Sequence, residues 1–148
     1  MGNRAFIKGQ DSNIGIYLHW NGGIDSVEAF LEYAKLRKLD RVYYDYGVAR
    51  FCQIVGNWFG ANDSIGVQEN SSSTDEEARE YRLDNGVYII NSDWEIVKRL
   101  APPKDKKREG YDRLEMLLSI DSAQPEGHRL GEEYIRKAVD SNHKENQQ

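Results

Sequence analysis

One cysteine, Cys52, and three prolines stand among the 148 residues of the chain. A lone thiol excludes an intramolecular disulfide framework and any cysteine-rich zinc site. Long apolar runs are missing too: no stretch approaches the roughly 18 residues needed to cross a membrane. The opening Met1-Gly2-Asn3-Arg4 leads into no apolar signal segment. Ala5 and Phe6 stand where an acylation signal calls for serine or threonine, so no lipid anchor is expected. Catalytic signatures are equally scarce. There is no phosphate loop, no dinucleotide fingerprint, no His-Glu-x-x-His and no Gly-x-Ser-x-Gly elbow. His19, His128 and His143 lie far apart, so neither a metal site nor a cofactor is expected. Cys52 sits within apolar sequence with no activating base beside it, which points to packing.

What is present argues for one folded domain. The mass is 17.1 kDa, with 39% hydrophobic, 30% charged and 11% aromatic residues and a mean hydropathy of -0.78. Nine Tyr, four Phe and three Trp are too much apolar material for a linker or tail. Twenty Lys plus Arg against 25 Asp plus Glu give a net charge of -5. A globally acidic chain is not steered toward nucleic acid by its overall field.

Ala5-Phe6-Ile7 followed by the alternation Ile14, Ile16, Leu18, Trp20 predicts an N-terminal hairpin, its second strand ending at Asn21-Gly22-Gly23. Asp25, with Glu28 three residues on, predicts a capping box that opens a helix over about 26–39, striped by Val27, Phe30, Leu31 and Ala34. A second helix over about 46–59 carries Val48, Phe51, Cys52, Val55 and Phe59. Ile54 and Trp58 widen its apolar face, which reads as the central packing element or a partner surface. Ile65 and Val67 predict a short strand; Thr74 with Glu77 would cap one or two helical turns, the alternative being an irregular acidic loop.

Asn85-Gly86 is a hairpin signal joining Glu80–Leu83 to Val87–Ile90, and Asn91-Ser92-Asp93 turns into Trp94–Val97. These would form a three-stranded meander, which Pro102-Pro103 ends. Helices are expected from Tyr111 to about Asp121 and over about 131–140, with 141–148 a disordered tail. The expected fold is α+β: an antiparallel sheet built from the N-terminal hairpin and the central meander, with helices packed on it, in a single domain over 1–140.

Three groups of residues are candidates for function. His19 and Asn21 lie where a strand turns into a helix, and His19 suits acid–base work. Its dull alternative has Asp25 capping the helix, Trp20 as a core anchor and His19 as a strand residue facing solvent. Tyr46 and Arg50, one turn apart, would clamp a planar anion such as a nucleotide and share one pocket with Arg4, His19 and Asn21; the alternative has Arg50 paired with a local carboxylate such as Asp45. The acids Asp75, Glu76, Glu77 and Glu80, with Trp58, would meet a basic protein partner. The basic run Arg99, Lys104, Lys106, Lys107 and Arg108 is interrupted by Asp105 and Glu109 and lacks interleaved aromatics, so direct nucleic-acid binding is not expected.

Gly2-Asn3-Arg4-Ala5-Phe6-Ile7, then Gly15-Ile16-Tyr17-Leu18-His19-Trp20-Asn21-Gly22-Gly23, resembles the opening of small accessory proteins of bacteria, phages and mobile elements; Asp45–Asn57 is similar to that group as well. The resemblance implies a cytoplasmic accessory protein of a bacterial or infected cell that occupies a host protein, such as a defence or nucleic-acid-processing factor. It implies no activity, cofactor or active site. The first expectation is therefore a binding protein that inhibits a protein partner. The alternatives are a nucleotide or signal-molecule binder and a small hydrolase using His19 with Asp25 or Asp45.

Overall fold

The computed structural model describes residues 2–39, 45–60, 63–105 and 110–146. The stretch 40–44, the cations Lys106, Lys107 and Arg108, and the side chains of Asp45 and His143 lie outside the described residues.

Strands β1 (Ala5–Gly9) and β2 (Ile14–Leu18) form the expected antiparallel hairpin, and β3 (Ile65–Glu69) pairs antiparallel with β2. On its other side β1 takes β4 (Val87–Ile90) in parallel, and β4 takes β5 (Ile96–Leu100) antiparallel. The spatial order is β3-β2-β1-β4-β5, a mixed and mostly antiparallel sheet in an α+β fold. One face carries Ala5, Ile7, Ile16, Leu18, Tyr88 and Ile90. It is covered by α1 (Ile24–Leu36), α2 (Asp45–Phe59), α4 (Arg113–Ser122) and α5 (Glu132–Asn146). The other face is smaller. Phe6, Val87 and Leu100 pack there on Ala78 of the short helix α3 (Asp75–Arg79). Cover on both faces is why every residue of β1 is buried.

The expected meander does not form. Residues 80–83 are a turn, in which Arg82 has φ 55°, and the place beside β4 belongs to β1. A central strand that buries Phe6 and Ile7 removes more apolar surface than Glu80-Tyr81-Arg82-Leu83 could. The Asn85-Gly86 turn is docked instead of hairpinned: Asn85 N–H donates to Arg4 O, and Gly86 O accepts from Phe6 N–H. Gly86, at φ 69°, is required for a close approach, because a Cβ there would lie 2.0 Å from Leu100 O.

The last strand begins at Ile96, not Trp94. Trp94 occupies a left-handed turn (φ 62°) closed by Asn91 Oδ1. Its buried ring packs on Phe51, and its indole N–H donates to Leu39 O at 2.7 Å. Burial of the indole holds a conformation that is otherwise costly for a bulky residue.

The first helix starts at Ile24 with Gly23 as N-cap, so the Asp25–Glu28 capping box does not form. Asp25 is buried in the first turn and accepts from Gly110 N–H at 2.9 Å. Glu28 and Glu32 are not left to repel one another, since the Arg113 guanidinium bonds both at 2.6 Å and ties α1 to α4. Helix α1 proves to be the central packing helix, with Val27, Phe30, Tyr33 and Ala34 fully buried, whereas α2 keeps Tyr46 and Arg50 in solvent. The Thr74 cap is present, accepting from Glu77 N–H at 3.2 Å. The expected tail is helical as far as Asn146.

Two buried polar residues knit the helices together. Asp121 of α4 accepts from the Tyr33 hydroxyl at 2.5 Å and from Leu130 and Gly131 N–H at 2.7 and 3.0 Å. Burial, and then the bond to Asp121, pushes the Tyr33 hydroxyl well above the usual phenol range. Gln124 donates to Ile54 O and Ile120 O and accepts from Asn57, so it joins α4 to α2. Removing the Asp121 carboxylate strands three donors. Asp121→Ala is expected to cost at least about 3 kcal/mol and Tyr33→Phe about 2 kcal/mol. Urea unfolding midpoints test the order, and a smaller loss for Asp121→Ala than for Tyr33→Phe would contradict this account.

Candidate functional site

The five residues expected around one pocket divide between two places. At one end of the sheet, where β1 and β4 begin, Arg4 donates from N–H and Nε to Asp84 Oδ2 at 2.9 and 3.0 Å. That hydrogen bond holds the Asp84 carboxyl below its ordinary range. His19 stands beside them in a shallow depression of about 400 Å³ lined by Gly2, Arg4, His19 and Asp84. Its Nδ1 is 2.9 Å from the Tyr17 hydroxyl, and its ring meets Trp20 edge-on. Trp20 is 44% exposed and thus no core anchor, because β2 ends at Leu18. Asn21, at φ 56°, donates from Nδ2 to Ser26 Oγ.

This arrangement assembles no nucleophile and base. Ser26 is fully buried and bonded to Asn21, while His19 is bonded to Tyr17. Asp25 is engaged by Gly110, away from His19's hydrogen bond. Among the described residues no group of three His, Cys, Asp or Glu side chains is placed to hold a metal. Burial pushes the partly buried Cys52 thiol up, away from reactivity. No helix among the described residues is long and apolar enough to cross a membrane.

Tyr46 and Arg50 lie on α2, with the guanidinium 6.0 Å from the Tyr46 ring centre. Arg50 lines a cleft of about 210 Å³ between the end of α1, α2 and the 3₁₀ turn Glu126–His128. Arg37, Arg50 and His128 supply its basic groups, Gln53, Asn57 and Gln124 its amides, and Leu39, Ile54 and Pro125 its apolar wall. No carboxylate among the described residues lines it. Arg37 is near enough to the Tyr33 hydroxyl to lower its pKa, against the larger effects of burial and Asp121.

A larger cleft of about 730 Å³ runs past Glu28, Glu32, Lys35, Trp94, Arg113 and Asn142. Its lining sets Glu28, Glu32 and Glu95 against Lys35 and Arg113, and Arg113 is committed to Glu28 and Glu32, so the cleft offers mixed charge and no convergence of one sign.

The proposed protein-binding residues are partly consumed by the fold. Asp75 accepts from Ala101 N–H, and Glu77 accepts from Ser73 and Thr74 and raises the proton affinity of the buried Lys8. Glu76 and Glu80 remain exposed. Trp58 packs on Phe30 and Phe59 and donates to Ser119 Oγ at 3.0 Å, so it serves the interior.

Arg37 and His128 escaped sequence reasoning because nothing in linear spacing joins residues 37, 50 and 128. The one available signal was Arg50 on the polar face of an otherwise apolar helix. No protein-family model, curated protein or solved structure matches the chain.

The Arg4–Asp84 pair gives a pH test. A carboxyl with a depressed folded pKa contributes stability that is complete above its unfolded value, roughly 3.9, and lost as pH falls through the folded value. Wild type is expected to exceed Asp84→Asn in unfolding midpoint at pH 6, and the gap to close toward pH 2. Both partners are substantially exposed, so the gap is small. A gap that widens in acid would reverse the assignment.

Proposed function

We propose that the chain is a binding protein that retains a small anionic ligand, of the nucleotide or signal-molecule class, in the cleft between α1, α2 and the 3₁₀ turn. The convergence of Arg37, Arg50 and His128 from three separate segments carries this reading. Guanidinium groups match phosphate or carboxylate through paired hydrogen bonds, and confinement against Leu39, Ile54 and Pro125 limits the water that would screen them. At about 210 Å³ the cleft is below the roughly 300 Å³ that encloses a whole drug-sized molecule. It takes the charged head of a ligand, and a planar body leaving along α2 meets the exposed Tyr46. Retention without conversion also suits the accessory role implied by the opening residues.

A second reading, capture of a basic protein, is favoured by Glu76 and Glu80, which α3 holds in solvent. It no longer draws on Asp75, Glu77 or Trp58.

Thermal-shift titration with nucleoside monophosphates, pyrophosphate and inorganic phosphate separates the two. Saturable stabilisation is expected, weakened at least about tenfold by Arg50→Glu with the ligand-free fold unchanged. No saturable shift with any of these anions would refute the anion reading. The second reading expects Glu76→Lys/Glu80→Lys to weaken capture of a basic protein while leaving the unfolding midpoint within about 0.5 kcal/mol of wild type.

A further inference from the structure

The two edges of the sheet are built differently. β5 is irregular, with a register shift opposite Ile89 and Ile90, and it carries Lys98 and Arg99. Bulges and cations are the devices that stop an edge strand from pairing. β3 has neither: its register with β2 is regular from Ile65 to Glu69, and it contains no proline and no lysine.

The direction of its main-chain groups follows from the bonds that flank it. His19 N–H donates to Ser64 O, and Asn70 N–H donates to Asn13 O. Antiparallel pairing alternates bonded and unbonded residues. Even-numbered residues of β3 therefore bond inward to β2, and Ile65, Val67 and Glu69 direct their N–H and C=O groups outward. Val67 is also 60% exposed, and Ile14 on the neighbouring strand is 47% exposed on the same sheet face. An unprotected row of backbone groups and an exposed apolar strip thus coincide.

We propose that β3 pairs antiparallel with β3 of a second copy of this chain about a two-fold axis at Val67, which makes one ten-stranded sheet. The sequence is self-complementary in that register. Val67 meets Val67 of the second copy and exchanges both hydrogen bonds with it, which outward-facing residues require. Ile65 lies opposite Glu69, so the two acids are kept at opposite ends and no like charges face each other. Gly66 opposite Gln68 leaves the other sheet face without a clash. The symmetry is closed, so pairing stops at a dimer. None of these residues lines the anion cleft, and the inference stands independently of that reading.

Sedimentation equilibrium from about 10 μM to about 1 mM is expected to show a concentration-dependent dimer. Val67→Pro removes an outward N–H that the internal ladder does not use, so the edge strand folds but dimer dissociation strengthens at least about tenfold. Val67→Lys gives the same loss by charge and decides the matter should the proline variant unfold. In Cys52→Ala/Val67→Cys the paired Cα atoms would be about 5.5 Å apart, within disulfide reach, and mild oxidation yields a covalent dimer. A wild-type monomer throughout this range overturns the proposal. So does a dimer that survives Val67→Lys but is lost on Val97→Lys at the other edge.

Discussion

The helical side of the molecule depends on one buried carboxylate. Asp121 collects the Tyr33 hydroxyl from α1 and the Leu130 and Gly131 amides that precede α5. A carboxylate out of water is costly unless its oxygens are satisfied, and three short donors satisfy these. The same bonds answer a second requirement, because the amides at the approach to a helix have no partner within the helix itself. The chain turns through the 3₁₀ segment after α4 and enters α5 at an angle set by this contact. Gln124, three residues on, fixes the turn against Ile54 O and Asn57 of α2. The position of His128 opposite Arg37 and Arg50 follows from these few bonds. The cleft is therefore preorganised by interior polar groups, without needing its own cations to find each other.

On the sheet side the governing constraint is cover. β1 sits between β2 and β4 with helices on one face and α3 on the other, so its sequence can be continuously apolar. The exception is Lys8, buried on the smaller face with Nζ donating to Asn70 O and Ser72 O. Burial lowers its pKa and Glu77 partly offsets this, so the 70–77 segment is clamped over the sheet by a charged group with its hydrogen bonds supplied locally. Glu77, one of the acids that look like a partner surface in the sequence, is here part of that clamp, while Glu76 and Glu80 stay in solvent.

Local rules made the β1–β2 hairpin and both long N-terminal helices legible, since each depends on periodicity, and they offered the Thr74 cap as one of two readings. What escaped depends on competition between distant segments. Asn85-Gly86 has the chemistry of a two-residue hairpin, yet its amide and carbonyl dock on Arg4 and Phe6 because β1 is the better neighbour for β4. Asp25 has the chemistry of an N-cap, yet Gly110, 85 residues away, claims it. Trp94 follows a turn signal and reads as a strand start, while its indole needs Phe51 and Leu39, which only the fold supplies. The candidate site was half legible: Arg50 was found, and the partners that make it a cleft were invisible.

Turnover and binding make different demands on polar side chains. Catalysis needs a nucleophile or base whose lone pair is available at a point where substrate can sit. At the strand-to-helix corner Ser26 is buried and bonded to Asn21, Asp25 and Asp84 are engaged by Gly110 N–H and Arg4, and His19 turns Nδ1 toward the Tyr17 hydroxyl. In the 37–50–128 cleft the polar groups that face one another are the Arg37 and Arg50 guanidinium groups, the His128 imidazole and the amides of Gln53, Asn57 and Gln124. Guanidinium and amide N–H groups that face one another, with no carboxylate among the described residues beside them, can hold an anion by paired hydrogen bonds.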